Sequence, residues 1–119
     1  MNFGLLESDI EYIVATIKKI SEIDKAVIFG SRAKGNYKPG SDIDIAIYGE
    51  NITFDILSRL HSALEDESPM TYFFDVVDFT GLSQKEIKEH IERVGIVIYE
   101  RNSAVKIPPM ASGEGTKIK

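Results

Sequence analysis

The stretch from Val27 to Ile47, Val-Ile-Phe-Gly-Ser-Arg-Ala-Lys-Gly-Asn-Tyr-Lys-Pro-Gly-Ser-Asp-Ile-Asp-Ile-Ala-Ile, constrains the fold more than any other part of this chain. An apolar run breaks at Gly30 and Ser31. It passes through a loop with three cations and no acid, Arg32, Lys34 and Lys38, and returns as a second apolar run carrying Asp42 and Asp44. Alternate side chains of an extended strand share a face, so Asp42 and Asp44 point one way and Ile43, Ile45 and Ile47 the other. Two carboxylates held side by side repel each other unless a cation sits between them. Hard oxygen ligands of this kind suit Mg²⁺, above all where phosphate oxygens complete its shell. The glycine turn can bring backbone N–H groups and the Ser31 hydroxyl up to such phosphates.

Other phosphate and metal motifs fit less well. A P-loop requires Lys and Ser or Thr where Asn36 and Tyr37 stand, and the glycine spacing rules out a Rossmann fingerprint. A calcium loop starting at Asp42 would need further oxygen ligands and a glycine where Ile45 and Ala46 follow. The bland reading has Gly30 merely permitting a turn and the aspartates on a solvated edge. Each half alone is compatible with it, but the two halves at this spacing favour a working site.

A length of 119 residues allows one core, and 43% hydrophobic with 28% charged residues is ordinary for a globular protein. No apolar run approaches the roughly 20 residues that cross a bilayer, which gives the expectation of a cytoplasmic protein without membrane contact. The absence of cysteine excludes disulfides, thiolate metal sites and cysteine nucleophiles within the chain. Net charge is −5, and residues 101–119 contribute +3 to it, which leaves −8 on the first hundred. Such a body repels a nucleic-acid backbone, so nucleic acid is a poor match for its main partner.

Along the chain, Ser8-Asp9-Ile10-Glu11 fits a capping box, and Ile10, Ile13, Val14, Ile17 and Ile20 predict a helix over about 8–21. Lys25–Phe29 reads as a buried strand. Residues 31–36 make a short helical turn, and Lys38-Pro39-Gly40-Ser41 a tight turn into the strand of the aspartates. A second long helix spans about 53–66, with Phe54, Leu57, Leu60 and Leu64 on one side and a solvated acidic end at Glu65-Asp66-Glu67. Tyr72–Phe79 has strand composition, with Asp75 among apolar and aromatic neighbours where an unpaired charge is costly. Asp78, three residues on, faces the other side. Ser83-Gln84-Lys85-Glu86 starts a further helix that stops at Gly95, and Ile96–Tyr99 is a last strand. The expected organisation is a single domain over 1–101 followed by a flexible tail over 102–119. Alternating helices and strands indicate an α/β or α+β fold, a small mixed sheet of about four strands flanked by helices. His61 and His90 have no acid at a clear spacing and read as surface or half-buried residues.

Gly30-Ser31, ten residues, then Asp42-x-Asp44 resembles the signature of the nucleotidyltransferase superfamily that includes DNA polymerase beta. The wording Gly-Ser-Arg-Ala-Lys-Gly…Ser-Asp-Ile-Asp-Ile-Ala is most similar to the small prokaryotic MNT proteins, antitoxins of HEPN/MNT toxin–antitoxin pairs. The resemblance spans about residues 8–99. It implies a nucleotidyltransferase fold and transfer of AMP from ATP to a hydroxyl, that of a tyrosine on a partner HEPN toxin. It also implies that Asp42 and Asp44 bridge two Mg²⁺ ions, with Asp75 as the third carboxylate and acceptor of the hydroxyl proton. Gly30 and Ser31 would hold the phosphates, with Arg32 as a further partner for their charge.

Larger members add a domain that binds the acceptor, for which this chain has no room, so the acceptor surface falls to another molecule or to self-association as a homo-oligomer. Two alternatives stand beside this reading. One is a binding module that neutralises the toxin by contact without catalysis; the other is a transferase acting on a small molecule.

Overall fold

A computed structural model describes residues 3–101. The tail expected over 102–119 lies outside the described residues.

Eight elements follow one another: α1 (Glu7–Lys18), β1 (Lys25–Phe29), α2 (Gly30–Lys34), β2 (Ile43–Tyr48), α3 (Phe54–Glu65), β3 (Phe74–Asp78), α4 (Lys85–Val94) and β4 (Ile96–Glu100). The strands form one sheet in the order β3-β2-β1-β4, with β1 antiparallel to both β2 and β4 and β3 parallel to β2. This is the small mixed sheet that the alternation of elements predicts.

Each face of the sheet buries its own set of side chains. On one, Ile43, Ile45 and Ile47 of β2 pack with Ile28 of β1, Ile13 and Ile17 of α1, and Ile56, Leu60 and Leu64 of α3. Removing any one of these fully buried aliphatic side chains from water contributes about 2 kcal/mol. On the other face Val27 and Ala46 pack with Ile91 of α4, bordered by Phe29, Val77 and Phe79. Helix α4 covers only part of that second face, and the uncovered part carries the aspartates.

Several local expectations shift. Helix α1 begins after Leu6, whose N–H is bonded by the returning Asp9 carboxylate at 3.2 Å, so the cap lies two residues before Ser8. Helix α4 begins after Gln84 without a side-chain cap bond, so Ser83 does not close a capping box there. In α3, Thr53 caps the Ile56 N–H at 3.2 Å, and the buried line is Ile56, Leu60 and Leu64. Phe54 belongs to the first turn and is 81% exposed rather than part of the core. The Lys38–Ser41 turn forms as predicted: the Ser41 N–H bonds the Lys38 carbonyl at 2.9 Å, with Pro39 ahead of a Gly40 at φ +84°. Among the described residues no helix is long and apolar enough to cross a membrane.

A candidate nucleotide and metal site at the end of the sheet

Strand register assembles the site. Asp44 is paired with Phe29 of β1 on one side and with Asp75 of β3 on the other. Paired residues of neighbouring strands project to the same face, so the two carboxylates stand next to each other on the face that also carries Ala46 and Val27. Asp42 precedes β2 by one residue and lies two positions before Asp44. Asp78 is paired with Ile47, whose side chain enters the α1–α3 core, so it faces away from the other three.

The Asp44 carboxyl is pushed up to about 6 from its ordinary 3.8, first by burial and then by the negative charges of Asp75 and Asp42. All three carboxylates therefore share one electrostatic neighbourhood. Asp75 itself is exposed, as is Asp42. Burial is thus not what makes Asp75 unusual: β3 is an edge strand beginning only at Phe74, and Asp75 is solvated.

Gly30 closes the other side. It follows β1 at a φ of +76°, and a Cβ built there would run into the Asp44 carboxylate. Only glycine lets the backbone approach so closely in that conformation. Ser31, half-buried, is the next residue of α2. The glycine bend and the carboxylates thus come together as the spacing predicts.

Arg32 behaves differently. Only 2% exposed, it donates from Nε (3.1 Å) and one terminal nitrogen (2.9 Å) to the Ser41 carbonyl, and from the other terminal nitrogen to the Phe3 carbonyl at 2.9 Å. Its guanidinium also lies 5.3 Å from the Tyr37 ring centroid and 5.1 Å from that of Tyr72. The side chain clamps the loop just before Asp42 to the N-terminal segment. Tyr37 stays 37% exposed, with its ring lying against the N-terminal segment where a Cβ on Gly4 would go.

One acid and one histidine are placed other than composition suggests. His61 of α3 meets Glu65 one turn later at 3.0 Å, and the Glu65 carboxylate also accepts the Phe74 N–H at 2.6 Å. Glu65 therefore has structural partners and is not merely a solvated helix end, and His61 does have a partnered acid. Their spacing of four residues was the available signal. Phe73, immediately before β3, is 68% exposed beside this edge. Nothing in its sequence context separates it from a core aromatic.

Among the described residues no three acidic or histidine side chains are gathered tightly enough to enclose a metal ion by themselves. The donor set still fits Mg²⁺, which binds through one or two carboxylates and completes its octahedron with water and substrate phosphates. A carboxyl raised by like charges also gains from a divalent cation placed beside it.

An edge of carboxylates opposite a glycine–serine bend, on a four-stranded mixed sheet, is the arrangement of a nucleotidyltransferase. The chain belongs to the Polymerase beta nucleotidyltransferase family, whose model matches residues 11–104. It is 37% identical over 81 residues to a Haemophilus influenzae protein named "Probable protein adenylyltransferase MntA", covering 67% of this chain and 69% of that one. The fold is also that of a toxin–antitoxin crystal structure with AMP-PNP, at TM-score 0.65, 19% identity and coverage of 86% and 79% of the two chains. A tri-AMPylated Shewanella oneidensis HEPN toxin in complex with MNT antitoxin gives TM-score 0.63 at 16% identity, covering 84% and 76%.

Proposed function

We propose that this chain transfers AMP from ATP to a tyrosine hydroxyl of a HEPN-domain toxin and acts as that toxin's antitoxin. The observation that carries the reading is the shared rung of Asp44 and Asp75 with Gly30 packed against Asp44. The adenylyltransferase name of the Haemophilus influenzae relative and the AMP-bearing toxin in the Shewanella oneidensis complex support the choice of AMP and of a protein acceptor.

Asp42 and Asp44 would hold two Mg²⁺ ions, with Asp75 a ligand of the one on the acceptor side. Bound there, Mg²⁺ supplies charge neutralisation for the attacking and departing oxygens. Gly30 and Ser31 offer a backbone N–H and a hydroxyl to the β and γ phosphates. The acceptor oxygen bonds to the α-phosphorus as the bond from that phosphorus to the bridging oxygen breaks, and pyrophosphate departs. Asp75, exposed beside Asp44, receives the hydroxyl proton. Arg32 acts through the loop it clamps, since it is only 2% exposed and three of its five N–H groups are bonded to the Ser41 and Phe3 carbonyls.

The test is incubation of the chain with ATP, Mg²⁺ and its HEPN-domain partner, followed by intact-mass measurement. A mass increment of AMP on the partner is expected, lost with Asp44→Asn. Stable complex formation without any increment would overturn the transferase reading.

A further inference from the structure

We infer that the free edge of β3 is the docking line for the acceptor: an extended segment of the acceptor polypeptide adds to that edge as a fifth strand and presents its hydroxyl to Asp75. The inference rests on the transferase reading above and specifies how the second substrate reaches the site.

Strand β3 is an outer strand of the sheet. Its Phe73 carbonyl accepts the Ile43 N–H at 2.9 Å, and the Phe79 N–H donates to the Ile47 carbonyl at 2.9 Å. The N–H and C=O of one strand residue point to the same side and alternate along the strand, so odd-numbered residues bond to β2 while Phe74, Val76 and Asp78 turn outward. The outward Phe74 N–H is already taken by Glu65, which His61 holds in place. Of the others, Val76, next to Asp75, presents both its N–H and its C=O to the open side. Unpaired edge groups template the addition of another strand, and β3 carries no Lys or Pro to prevent it.

A groove of about 410 Å³ runs along this edge, walled by Phe54, Ser58 and His61 of α3 and by Phe74, Asp75 and Val76 of β3. Asp75 belongs to both the groove and the carboxylate cluster, so an occupant of the groove is continuous with the reacting centre. At the helix end of the groove Phe54 offers an 81% exposed ring, the type of residue that anchors a binding partner. Direction completes the argument. Gly30 and Ser31 lie on the β1 side of Asp44, so pyrophosphate leaves toward β1, and in-line displacement requires the nucleophile from the opposite, β3 side. A polypeptide acceptor, as proposed above, is the occupant that a strand edge recognises.

The test uses two variants of the full chain with the unmodified HEPN-domain partner as acceptor. Val76→Pro removes an outward N–H and leaves the bonds to β2 intact, a substitution edge strands accommodate; Phe54→Glu alters an exposed position only. Each is expected to raise KM for the partner about tenfold or more while leaving Mg²⁺–AMP-PNP affinity within about twofold. In the unaltered chain, hydrogen exchange at the Val76 amide is expected to slow at least about tenfold when partner and AMP-PNP are added. Unchanged exchange at Val76 in the complex, or unchanged KM in Phe54→Glu, overturns the inference. So does slowing of that amide with rising concentration of this chain alone, which would make the edge a contact between copies. If Val76→Pro does not fold, the exchange measurement and Phe54→Glu decide. Loss of the transferase reading would show separately, as no AMP transfer by the unaltered chain despite protection at Val76.

Discussion

Asp44 and Asp75 occupy one rung of the parallel β2–β3 ladder, two carboxylates side by side with no ion-pair partner for either among the described residues. Like charges directly opposite each other destabilise a sheet. The raised Asp44 carboxyl, about 6, records its burial first and that repulsion second. Under the proposed function this arrangement trades stability for readiness to bind a divalent ion, and the trade is measurable. Asp44→Asn is expected to abolish AMP transfer, lowering it at least about a hundredfold, while making the metal-free chain more stable at pH 7. The partly solvated position reduces the shift to a gain of about 1–2 kcal/mol. Chemical denaturation beside the mass assay checks both; a destabilised Asn variant would contradict the account.

The same shift sets a pH window. Folded, Asp44 keeps its proton to about 6, whereas unfolded it releases it near 3.8. Its contribution to stability is therefore fully present below pH 4 and is lost as pH rises through 6. Measured without divalent ions, the stability of Asp44→Asn minus that of the unaltered chain should be smallest near pH 4, grow between 4 and 6, and level off above. A difference that shrinks as pH rises over this range would have the wrong sign.

Much of the site is legible in the sequence because it is local. Gly30, Ser31, Asp42 and Asp44 fall within fifteen residues of one hairpin-like passage, and apolar alternation fixes the face of the aspartates. Asp75 is legible as a charge inside an apolar run, yet the desolvation argument for it fails, because edge position is a property of the sheet order and leaves it exposed. Phe54 shows the converse: periodicity places it on an apolar stripe, but the first turn of α3 projects it into solvent. Arg32 is the least legible. A cation in a glycine loop suggests a phosphate ligand, whereas its partners are backbone carbonyls nine and twenty-nine residues away that only the folded chain brings near.

Gly30→Ala tests the close approach. The added methyl meets the Asp44 carboxylate, and a φ of +76° is strained for any residue with a Cβ. Expected are a stability loss of about 1–3 kcal/mol and AMP transfer reduced at least about tenfold. Thermal denaturation and the transfer assay read the two effects. A variant as stable and as active as the unaltered chain would mean that the bend does not press on the carboxylate.

Arg32 separates a clamp from a phosphate ligand. Removing a phosphate ligand weakens nucleotide binding and leaves the empty protein as stable as before; removing a clamp does the reverse. Arg32→Ala strips the donors from the Ser41 and Phe3 carbonyls and removes the stem that fills a buried position, a loss of about 2–4 kcal/mol. Arg32→Lys keeps the charge but not the planar fork that reaches both carbonyls, and should still lose about 1 kcal/mol or more. In both variants the folded fraction is expected to bind Mg²⁺–AMP-PNP within about tenfold of the unaltered chain, since Ser41 lies one residue before Asp42 and its displacement disturbs that carboxylate only indirectly. Urea denaturation without ligand and calorimetric titration with nucleotide distinguish the cases. Unchanged stability accompanied by lost nucleotide binding would return Arg32 to the phosphates.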